Sequence, residues 1–439
     1  MSRIATLPRG ESKPDIPPTS VPSSVRHPPN HIFHHTPESL RAWFTARGLP
    51  AFRADQTLDW VYRKGVADPA AMTNLAKRDR ELLAAEMTFL SGDVVRHQRA
   101  TDGTEKLLVE WTDFAAQRNN APEAEHESRA SARFSTPAHA PATPTPPGSR
   151  PSHAPPPTAR PTPCVMIPAD APDARSASRR TACISSQVGC PVGCRFCASG
   201  LGGLDGNLSA GRIVEQVWRL NSLLAASAPP PTPSVRHSGT PPLRMTHVVF
   251  MGMGEPLANL PNVVHAVRTL AAPWGMGISA RRITVSTVGL PRAIEKLAEQ
   301  LDLPVTLALS LHAPNDDLRR RLIPWAEYTT IADLLAACRV WFEKTGREIT
   351  LEYILLGGVN DRPEHAAQLA GVARSLRTNV NLIRYNEVAG LDFRRPSTGD
   401  VREFQRILRA RGVNTHIRRS RGRDIAAACG QLRHEHSAA

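Results

Sequence analysis

Residues 183–197 read Cys183-Ile-Ser-Ser-Gln-Val-Gly-Cys190-Pro-Val-Gly-Cys194-Arg-Phe-Cys197, and no other stretch constrains the chain as strongly. Three cysteines lie within its last eight residues, separated by three and two residues, with a phenylalanine before the last. A loop with this spacing can wrap its thiolates around one inorganic cluster, because thiolate is the soft ligand that iron–sulfur clusters require. Three ligands are one fewer than a closed 4Fe-4S cluster takes, so one iron would stay open to a substrate or cofactor.

A structural zinc site and a disulfide pair are the alternative interpretations of these cysteines. Structural zinc usually has four protein ligands in paired Cys-x-x-Cys knuckles, and neither a second pair nor a His-x-x-x-His follows. Disulfides are typical of secreted chains, whereas the N-terminus Met-Ser-Arg-Ile-Ala-Thr-Leu-Pro has no apolar signal core. The pattern therefore favours an iron–sulfur cluster.

The composition points to an intracellular protein with a polyanionic partner. No apolar run approaches the ~18 residues of a membrane span, so we expect a cytoplasmic protein that binds no membrane. The net charge is +14. Arginine dominates two basic clusters, and its guanidinium fork suits phosphate, although a solvated surface is the alternative. The clusters are Arg319, Arg320 and Arg321, and then Arg394, Arg395, Arg402, Arg406, Arg409, Arg411, Arg418, Arg419, Arg421 and Arg423.

The chain divides into two structured parts and several low-complexity segments. We expect a disordered tail over 1–34, a small, mostly helical accessory domain over 35–114, and a catalytic domain over 164–433 with a short tail at 434–439. Residues 115–163 and 226–242 are crowded with Pro, Ala, Ser and Thr. They bury too little apolar surface to offset ordering, so we expect disordered insertions there.

From residue 183 onward, strand and helix patterns alternate. Strands are predicted over 183–187, 246–251, 282–286, 305–311, 349–356, 380–385 and 414–418. Helices are predicted over 210–224, 260–270, 291–301, 331–344, 364–376 and 401–411. This alternation predicts an α/β fold with a parallel sheet and right-handed crossovers. Six to seven units suggest a partial or full (β/α) barrel, with a doubly wound open sheet as the alternative.

Polar residues cluster where the predicted strands end, which is the rim that carries the chemistry of a parallel barrel. The residues at these strand ends are Gly254 and Glu255 after the second strand, Ser286 at the end of the third, Ser310, Leu311 and His312 at the end of the fourth, and Asn386. Flanking glycine lets Glu255 approach an amino-acid ammonium group closely. Ser286 and Asn386 have groups that can hydrogen-bond a carboxylate or ribose hydroxyls. Together these residues suit S-adenosylmethionine bound to the open iron.

At this point the chain resembles a known family. The cysteine loop and the Gly-Glu-Pro turn resemble radical S-adenosylmethionine enzymes. Three longer strings resemble, within them, the RlmN-type adenine-C2 methyltransferases of 23S ribosomal RNA and transfer RNA. The strings are Cys183-Ile-Ser-Ser-Gln-Val-Gly-Cys190, Gly252-Met-Gly-Glu-Pro-Leu257 and Asp424-Ile-Ala-Ala-Ala-Cys429-Gly-Gln-Leu432. The resemblance covers about residues 37–114 and 164–433.

The resemblance implies a role for each matched residue. Cys190, Cys194 and Cys197 would bind the 4Fe-4S cluster, and the seven rim residues would contact S-adenosylmethionine. Cys429 would carry the methyl group, and Cys183 would be the resolving thiol. Carbon 2 of adenine has no nucleophilic lone pair, so the methyl passes first to a thiolate and then to the base by radical chemistry. Release would proceed through a transient disulfide between Cys183 and Cys429.

The resemblance also implies partners and alternatives. The substrates would be 23S ribosomal RNA and transfer RNA, the electron donor a protein such as flavodoxin or ferredoxin, and the chain a monomer. A related enzyme that methylates carbon 8 of adenine, and a catalytically silent RNA-binding paralogue, stay open. For Cys164 and Cys338 we expect buried structural thiols.

The chain departs from the family at one position. The family usually has a glutamate five residues before the proline of its Val-(Leu/Met)-Ile-Pro strand, assigned as the base that removes the carbon-2 proton. Here the strand ends at Pro168, and the corresponding residue is Pro163. Either another base serves, the release step differs, or the protein is impaired. Proline also removes a backbone donor from the strand.

Overall fold

The structure, a computed structural model, describes residues 28–111, 161–168, 179–227 and 244–433. Its strands are β1 Gly92–Arg99, β2 Glu105–Trp111, β3 Thr162–Pro168, β4 Arg180–Cys183, β5 Gln187–Gly189, β6 Leu204–Asn207, β7 His247–Phe250, β8 Ile283–Thr287, β9 Thr306–Ser310, β10 Ile349–Leu355, β11 Thr378–Arg384 and β12 Thr415–Arg418. Its α-helices are α1 Pro37–Thr45, α2 Arg53–Leu58, α3 Lys77–Glu86, α4 Ala210–Ser227, α5 Leu260–Ala271, α6 Pro291–Gln300, α7 Asp316–Leu322, α8 Ile331–Thr345, α9 Pro363–Arg374 and α10 Thr398–Ala410.

The central sheet of the described residues is open and ten-stranded, with the order β1-β2-β3-β4-β7-β8-β9-β10-β11-β12. From β4 onward every neighbouring pair is parallel, and the strands follow chain order. A doubly wound sheet would reverse its strand order at a switch point, so that alternative is wrong. Because β1 and β12 form the two edges, the sheet is a partial barrel of the kind predicted.

Side-chain alternation along β10 shows how the strands position the site. Every residue of this strand is buried, as expected for a parallel strand covered on both faces. Leu351, Tyr353 and Leu355 belong to the main apolar core. Glu352 and Ile354 point to the opposite face, where both line an internal pocket. The same alternation operates in β8, where Ser286 lies on the pocket side.

The N-terminal part, where we expected a small accessory domain, shares its sheet with the catalytic strands. Its β1–β2 hairpin pairs through β3 with β4, so its strands belong to the same sheet as the catalytic strands. The expected disordered tail also extends too far, since Ile32 and Phe33 are fully buried in the core. The Glu215 carboxylate of α4 further joins the two parts by bonding His31 Nε2 at 2.9 Å and the Ser91 amide at 3.0 Å.

Most of the segments expected to be disordered lie outside the described residues. This applies to 1–27, 115–160 and 228–242. Helix α4 continues to Ser227 and β3 already begins at Thr162, so the prediction is wrong for the described residues at these two boundaries. No helix within the described ranges is long and apolar enough to cross a membrane.

The predicted elements match with two differences. The first predicted strand, 183–187, is wrong: β4 ends at Cys183, and Gln187 already starts the separate β5–β6 pair. The Ser185 amide donates to the Gln216 side-chain oxygen and the Ser185 carbonyl accepts from the Gln216 side-chain nitrogen, both at 2.9 Å, so these backbone groups pair with α4 and not with a strand. The pattern also missed α7, because Leu318 and Leu322 are its only apolar residues.

Candidate active site

The three-cysteine loop is closed by its own backbone. Strand β5 ends at Gly189, which has φ +82°, and a Cβ there would lie 2.0 Å from the Gly203 carbonyl oxygen, so only glycine fits. The Cys190 amide donates to the same carbonyl at 2.9 Å, and the Cys197 amide donates to the Cys194 carbonyl at 3.1 Å. The β5–β6 pair therefore brackets the loop and holds its three thiols on one side.

All three thiols line one pocket, which we call the cysteine pocket. Burial raises the pKa of Cys190 to about 12, raises that of Cys194 well above its usual range, and raises that of Cys197. The neighbouring sulfurs reinforce the shift at Cys190 and Cys194, because each charged thiolate would repel the next. A bound metal centre deprotonates its coordinating thiols outright. The donor set thus fits an iron–sulfur cluster, whose positive charge would stabilise the three buried thiolates.

A single-ion site does not fit these thiols. The described part of the chain has no group of three or more His, Cys, Asp or Glu side chains arranged around one metal position. Structural zinc needs such a group, with its ligands converging on one ion. The cysteines of a 4Fe-4S cluster bind different irons, so a cluster does not require its thiols to converge on one metal position.

Most residues predicted to contact S-adenosylmethionine meet in the cysteine pocket. Gly254, Glu255, Ser286, Ser310 and His312 line it together with the three cysteines. Gly254 has φ +105°, and a Cβ there would lie 2.7–2.9 Å from the Gln187 side chain and amide, so the loop after β7 packs directly on β5.

The other two predicted cofactor residues lie just outside the cysteine pocket. Leu311 is fully buried, and its backbone amide donates to the Glu352 carbonyl at 3.1 Å. Asn386 lies in the adjoining cavity, where its amide nitrogen donates to the Cys429 carbonyl at 3.1 Å. Both residues therefore contact elements of the pocket wall instead of lining it.

Glu255 connects the ends of two strands. It is 4% exposed, and one carboxylate oxygen accepts the Leu257 amide at 3.0 Å while the other accepts the Val288 amide at 2.8 Å. Burial raises its pKa, and these two hydrogen bonds oppose the shift. The Thr287 side chain donates a third hydrogen bond, and since a carboxylate has about four acceptor positions, one stays available for a ligand. Glu255 thus fixes the pocket wall and still presents an anion to it.

His312 is held as a neutral ring at the base of the pocket. Its Nδ1 accepts the Ile354 amide at 3.1 Å, and its ring lies edge-on to Phe196 of the cysteine loop with centroids 5.0 Å apart. Burial lowers its pKa to about 3, and Arg319 adds to that shift. His312 also has a positive φ of 59°, which is rare for a residue other than glycine. The neutral ring therefore acts as an acceptor that positions the loop between β9 and α7.

A second cavity of about 310 Å³ adjoins the cysteine pocket, and we call it the arginine cleft. Cys183 lines it, and so does Cys429, which also lines the cysteine pocket. Its basic residues are Arg179, Arg418, Arg419 and Arg421. Cys429 therefore lies in the wall between a pocket suited to a cluster and a cleft suited to a polyanion.

The segment that carries Cys429 is attached directly to the cysteine loop. The Ala198 amide donates to the Gly430 carbonyl at 2.8 Å, and the Ser199 hydroxyl donates to the Leu432 carbonyl at 2.7 Å. These bonds join residues more than 230 positions apart in the sequence. They fix Cys429 relative to Cys197, so the thiol cannot be displaced without opening the loop.

Cys183 and Cys429 are both free thiols, and the described residues contain no disulfide. Burial raises the pKa of Cys183 to about 12 and that of Cys429 to about 11, while the charge of Arg418 lowers both. Cys164 and Cys338 are fully buried, as expected for structural thiols.

Pro163 lies inside β3 opposite Leu108, and both of its neighbours in the strand are buried. Its backbone carbonyl accepts a hydrogen bond from the Ser185 hydroxyl, a contact that does not depend on the side chain at position 163. No carboxylate is among the described residues that line the arginine cleft.

Glu352 lines the cysteine pocket next to Cys429, and the sequence analysis missed it. The alternation of β10 would have identified it, since a charged residue on a buried inward face is unusual.

The two arginine clusters have different fates. Three arginines of the C-terminal cluster line the arginine cleft, which is compatible with the predicted phosphate contact. The interpretation is wrong for Arg319, which is 1% exposed and donates to the Val288 carbonyl. Arg320 forms an ion pair with Asp317 one helical turn away. The cluster of Arg319, Arg320 and Arg321 thus serves mainly to hold α7 in place.

Comparisons with known proteins agree with this geometry. Residues 31–88 match the ribosomal RNA large subunit methyltransferase N-terminal domain, and residues 240–370 match the radical SAM superfamily. A probable dual-specificity RNA methyltransferase RlmN of Rhodopirellula baltica is 38% identical over 92% of this chain and 91% of its own length. The corresponding protein of Thermosynechococcus vestitus is 39% identical over 90% of this chain and 95% of its own length. The crystal structure of a radical SAM methyltransferase from Sphaerobacter thermophilus is 37% identical with a TM-score of 0.74, and covers 93% of this chain and 100% of its own.

Proposed function

This chain belongs to the RlmN family of radical S-adenosylmethionine RNA methyltransferases, and from this membership we propose that it methylates carbon 2 of adenine in 23S ribosomal RNA and in transfer RNA. The observation that supports the proposal most strongly is the position of Cys429. This thiol is accessible from the cysteine pocket and from the arginine cleft. A residue that takes a methyl group on one side and delivers it on the other needs this position.

The residues of the cysteine pocket would hold the two cofactors. Cys190, Cys194 and Cys197 would bind the 4Fe-4S cluster, and Gly254, Glu255, Ser286, Ser310, Leu311, His312 and Asn386 would surround S-adenosylmethionine. When bound, the cofactors supply the methyl group and the radical chemistry that the protein cannot provide. The protein contributes placement: the bonds from Ala198 and Ser199 hold Cys429 against the cysteine loop.

The residues of the arginine cleft would receive the RNA. Guanidinium groups suit phosphate oxygens, and Arg419 and Arg421 lie beside the two thiols. Cys429 would carry the transferred carbon to the base. Release requires cleavage of the bond between the Cys429 sulfur and that carbon, and Cys183 is the thiol that would take over this sulfur in a transient disulfide.

The protein would need a one-electron donor such as flavodoxin or ferredoxin, and we propose that it acts in the cytoplasm as a monomer. Its RNA substrates are found there, and the net charge of +14 favours their binding.

Identification of the product tests the proposal. The protein would be reconstituted anaerobically with iron and sulfide and incubated with S-adenosylmethionine, reductant and unmodified 23S RNA or transfer RNA. Nucleosides would then be identified by mass spectrometry, with Cys429→Ala as the matched control. 2-Methyladenosine from the wild type alone is the expected result, and it would also show that Pro163 is tolerated. 8-Methyladenosine would assign the sister activity. A loaded cluster with neither methylated adenosine nor 5′-deoxyadenosine would indicate a silent RNA-binding paralogue.

A further inference from the structure

Arg418, at the end of β12, faces both thiols of the arginine cleft and lies next to a buried carboxylate. It lines the cleft together with Cys183 and Cys429. Its Nη1 lies 3.2 Å from the Met251 sulfur and 4.0 Å from Glu352 Oε2. The side chain of Arg418 is 32% exposed, whereas the side chain of Glu352 is 4% exposed. The pair thus spans the boundary between the cleft and the cysteine pocket.

Glu352 is anchored so that one oxygen is left for Arg418. Its Oε1 accepts the Asn381 side-chain amide of β11 at 3.1 Å. Its Oε2 is buried and has no hydrogen bond in the described structure. A buried carboxylate oxygen without a hydrogen bond is costly unless a nearby cation compensates it. Arg418 is the cation at ion-pair distance from this oxygen.

The release step of the proposed function requires charge at Cys183, because the thiolate and not the thiol attacks sulfur. Burial works against that charge and raises the pKa of Cys183 to about 12. Two features oppose burial: the positive charge of Arg418 and a hydrogen bond from the Met251 backbone. The other titratable or charged groups that face this pair are Cys429, Cys164, Arg179 and Glu352. Cys429 and Glu352 bring negative charge, and Arg179 repels Arg418.

We propose that Arg418 is a positioning residue whose charge favours the reactive thiolate form of Cys183, and that Glu352 fixes the guanidinium in place for this purpose. The proposal rests on the proposed function, in which Cys183 is the resolving thiol. It assigns to Arg418 a task different from that of the neighbouring arginines. Arg419 and Arg421 line the same cleft, and Arg421 lies at ion-pair distance from Asp102.

The experiment measures the reactivity of Cys183 without any methyl transfer. Full-length protein with its cluster reconstituted would be treated anaerobically with iodoacetamide at a series of pH values, in the absence of S-adenosylmethionine and RNA. The rate of modification of the Cys183 peptide would be followed by mass spectrometry. The variants are Arg418→Gln, Arg418→Lys and the matched control Arg419→Gln. Circular dichroism would establish that each variant is folded.

The expected result is specific to charge at one position. Arg418→Gln should move the alkylation profile of Cys183 to higher pH, and the rate near neutral pH should fall about tenfold for each pH unit of displacement. Arg418→Lys and Arg419→Gln should keep profiles close to wild type. A profile of Arg418→Gln that superimposes on wild type would overturn the proposal, and so would an equal shift in Arg419→Gln. If Arg418→Gln does not fold, a shifted profile in Arg418→Lys would overturn it as well.

This outcome is independent of the proposed activity. Loss of adenine methylation in the wild type would refute the proposed function, while the alkylation profile would still report the charge state of Cys183. Conversely, an active enzyme whose Arg418→Gln profile is unchanged would refute only the role of Arg418.

Discussion

Replacing Glu255 with glutamine removes one acceptor from the wall of the cysteine pocket and changes little else. The two carboxylate oxygens accept the backbone amides of Leu257 and Val288 at 3.0 and 2.8 Å. Glutamine has one acceptor oxygen and one NH₂ group, which only donates. Whichever way the side-chain amide is oriented, an NH₂ group faces one backbone N–H. One buried donor therefore loses its partner.

The size of the effect follows from that single lost bond. Leaving a buried donor unsatisfied costs about 1–3 kcal/mol, and the lost bond is of the stronger kind because its acceptor is charged. Relief from the burial of a charge offsets a small part, since burial already raises the pKa of Glu255. We therefore expect Glu255→Gln to lower the free energy of unfolding by about 1–3 kcal/mol and to weaken S-adenosylmethionine binding.

Urea denaturation followed by circular dichroism would measure the free energy of unfolding, and equilibrium dialysis would measure cofactor binding. Glu299→Gln is the matched control, because Glu299 is an exposed residue of α6. A surface substitution of this kind stays within about 0.5 kcal/mol of wild type. If Glu255→Gln also stays within that range, the two hydrogen bonds do not stabilise the pocket wall, and the reasoning is refuted.

Three further predictions concern the thiols and the buried histidine. Cys429→Ala should keep the wild-type iron content and abolish methylated adenosine; product from this variant would exclude Cys429 as the methyl carrier. Cys183→Ala should accumulate protein covalently joined to RNA, visible as a slower band in a denaturing gel, and free methylated RNA at the wild-type rate would count against a resolving thiol. Burial lowers the pKa of His312 from 6.5 to about 3. Below about pH 6.5 the His312 ring is therefore protonated in the unfolded chain, while it stays neutral in the folded chain down to about pH 3. His312 should therefore remove up to about 1.4 kcal/mol of stability for each pH unit below that value. Unfolding free energies of wild type and His312→Gln measured at pH 7 and pH 5 should converge toward low pH, and a constant difference would contradict the assignment.

The sequence predicted the parallel sheet well because burial on both faces leaves a clear signal. Strand β10 is mostly apolar, with Thr350 and Glu352 as its polar residues. Its predicted bounds differ from the observed ones by one residue. Each of the six predicted helices also falls within three residues of an observed one, since each has an apolar stripe and an N-terminal Pro, Ser or Thr. The cysteine spacing likewise predicted that three thiols share one pocket.

The failures have an equally physical origin. At the end of β4 the Ser185 backbone bonds the Gln216 side chain, a contact between residues 31 positions apart that no local pattern encodes. Arg418 was grouped with its neighbours, because composition cannot show that this one arginine of the cluster lies at ion-pair distance from a buried carboxylate. The pairing of the N-terminal hairpin with β4 through β3 was also invisible, since it depends on which strand edges meet.

That shared sheet makes the register of the hairpin part of the accuracy of the catalytic centre. Val165 of β3 stands opposite Cys183 of β4, and Leu107 of β2 stands opposite Cys164. A slip of one residue anywhere in this ladder turns every side chain of the slipped strand to the opposite face. Heat or a lesion that opens β2 thus loosens the strand that carries Cys183. Thermal inactivation should accordingly coincide with melting of the hairpin in one cooperative transition. The residues that bind substrate need not move before the hairpin opens.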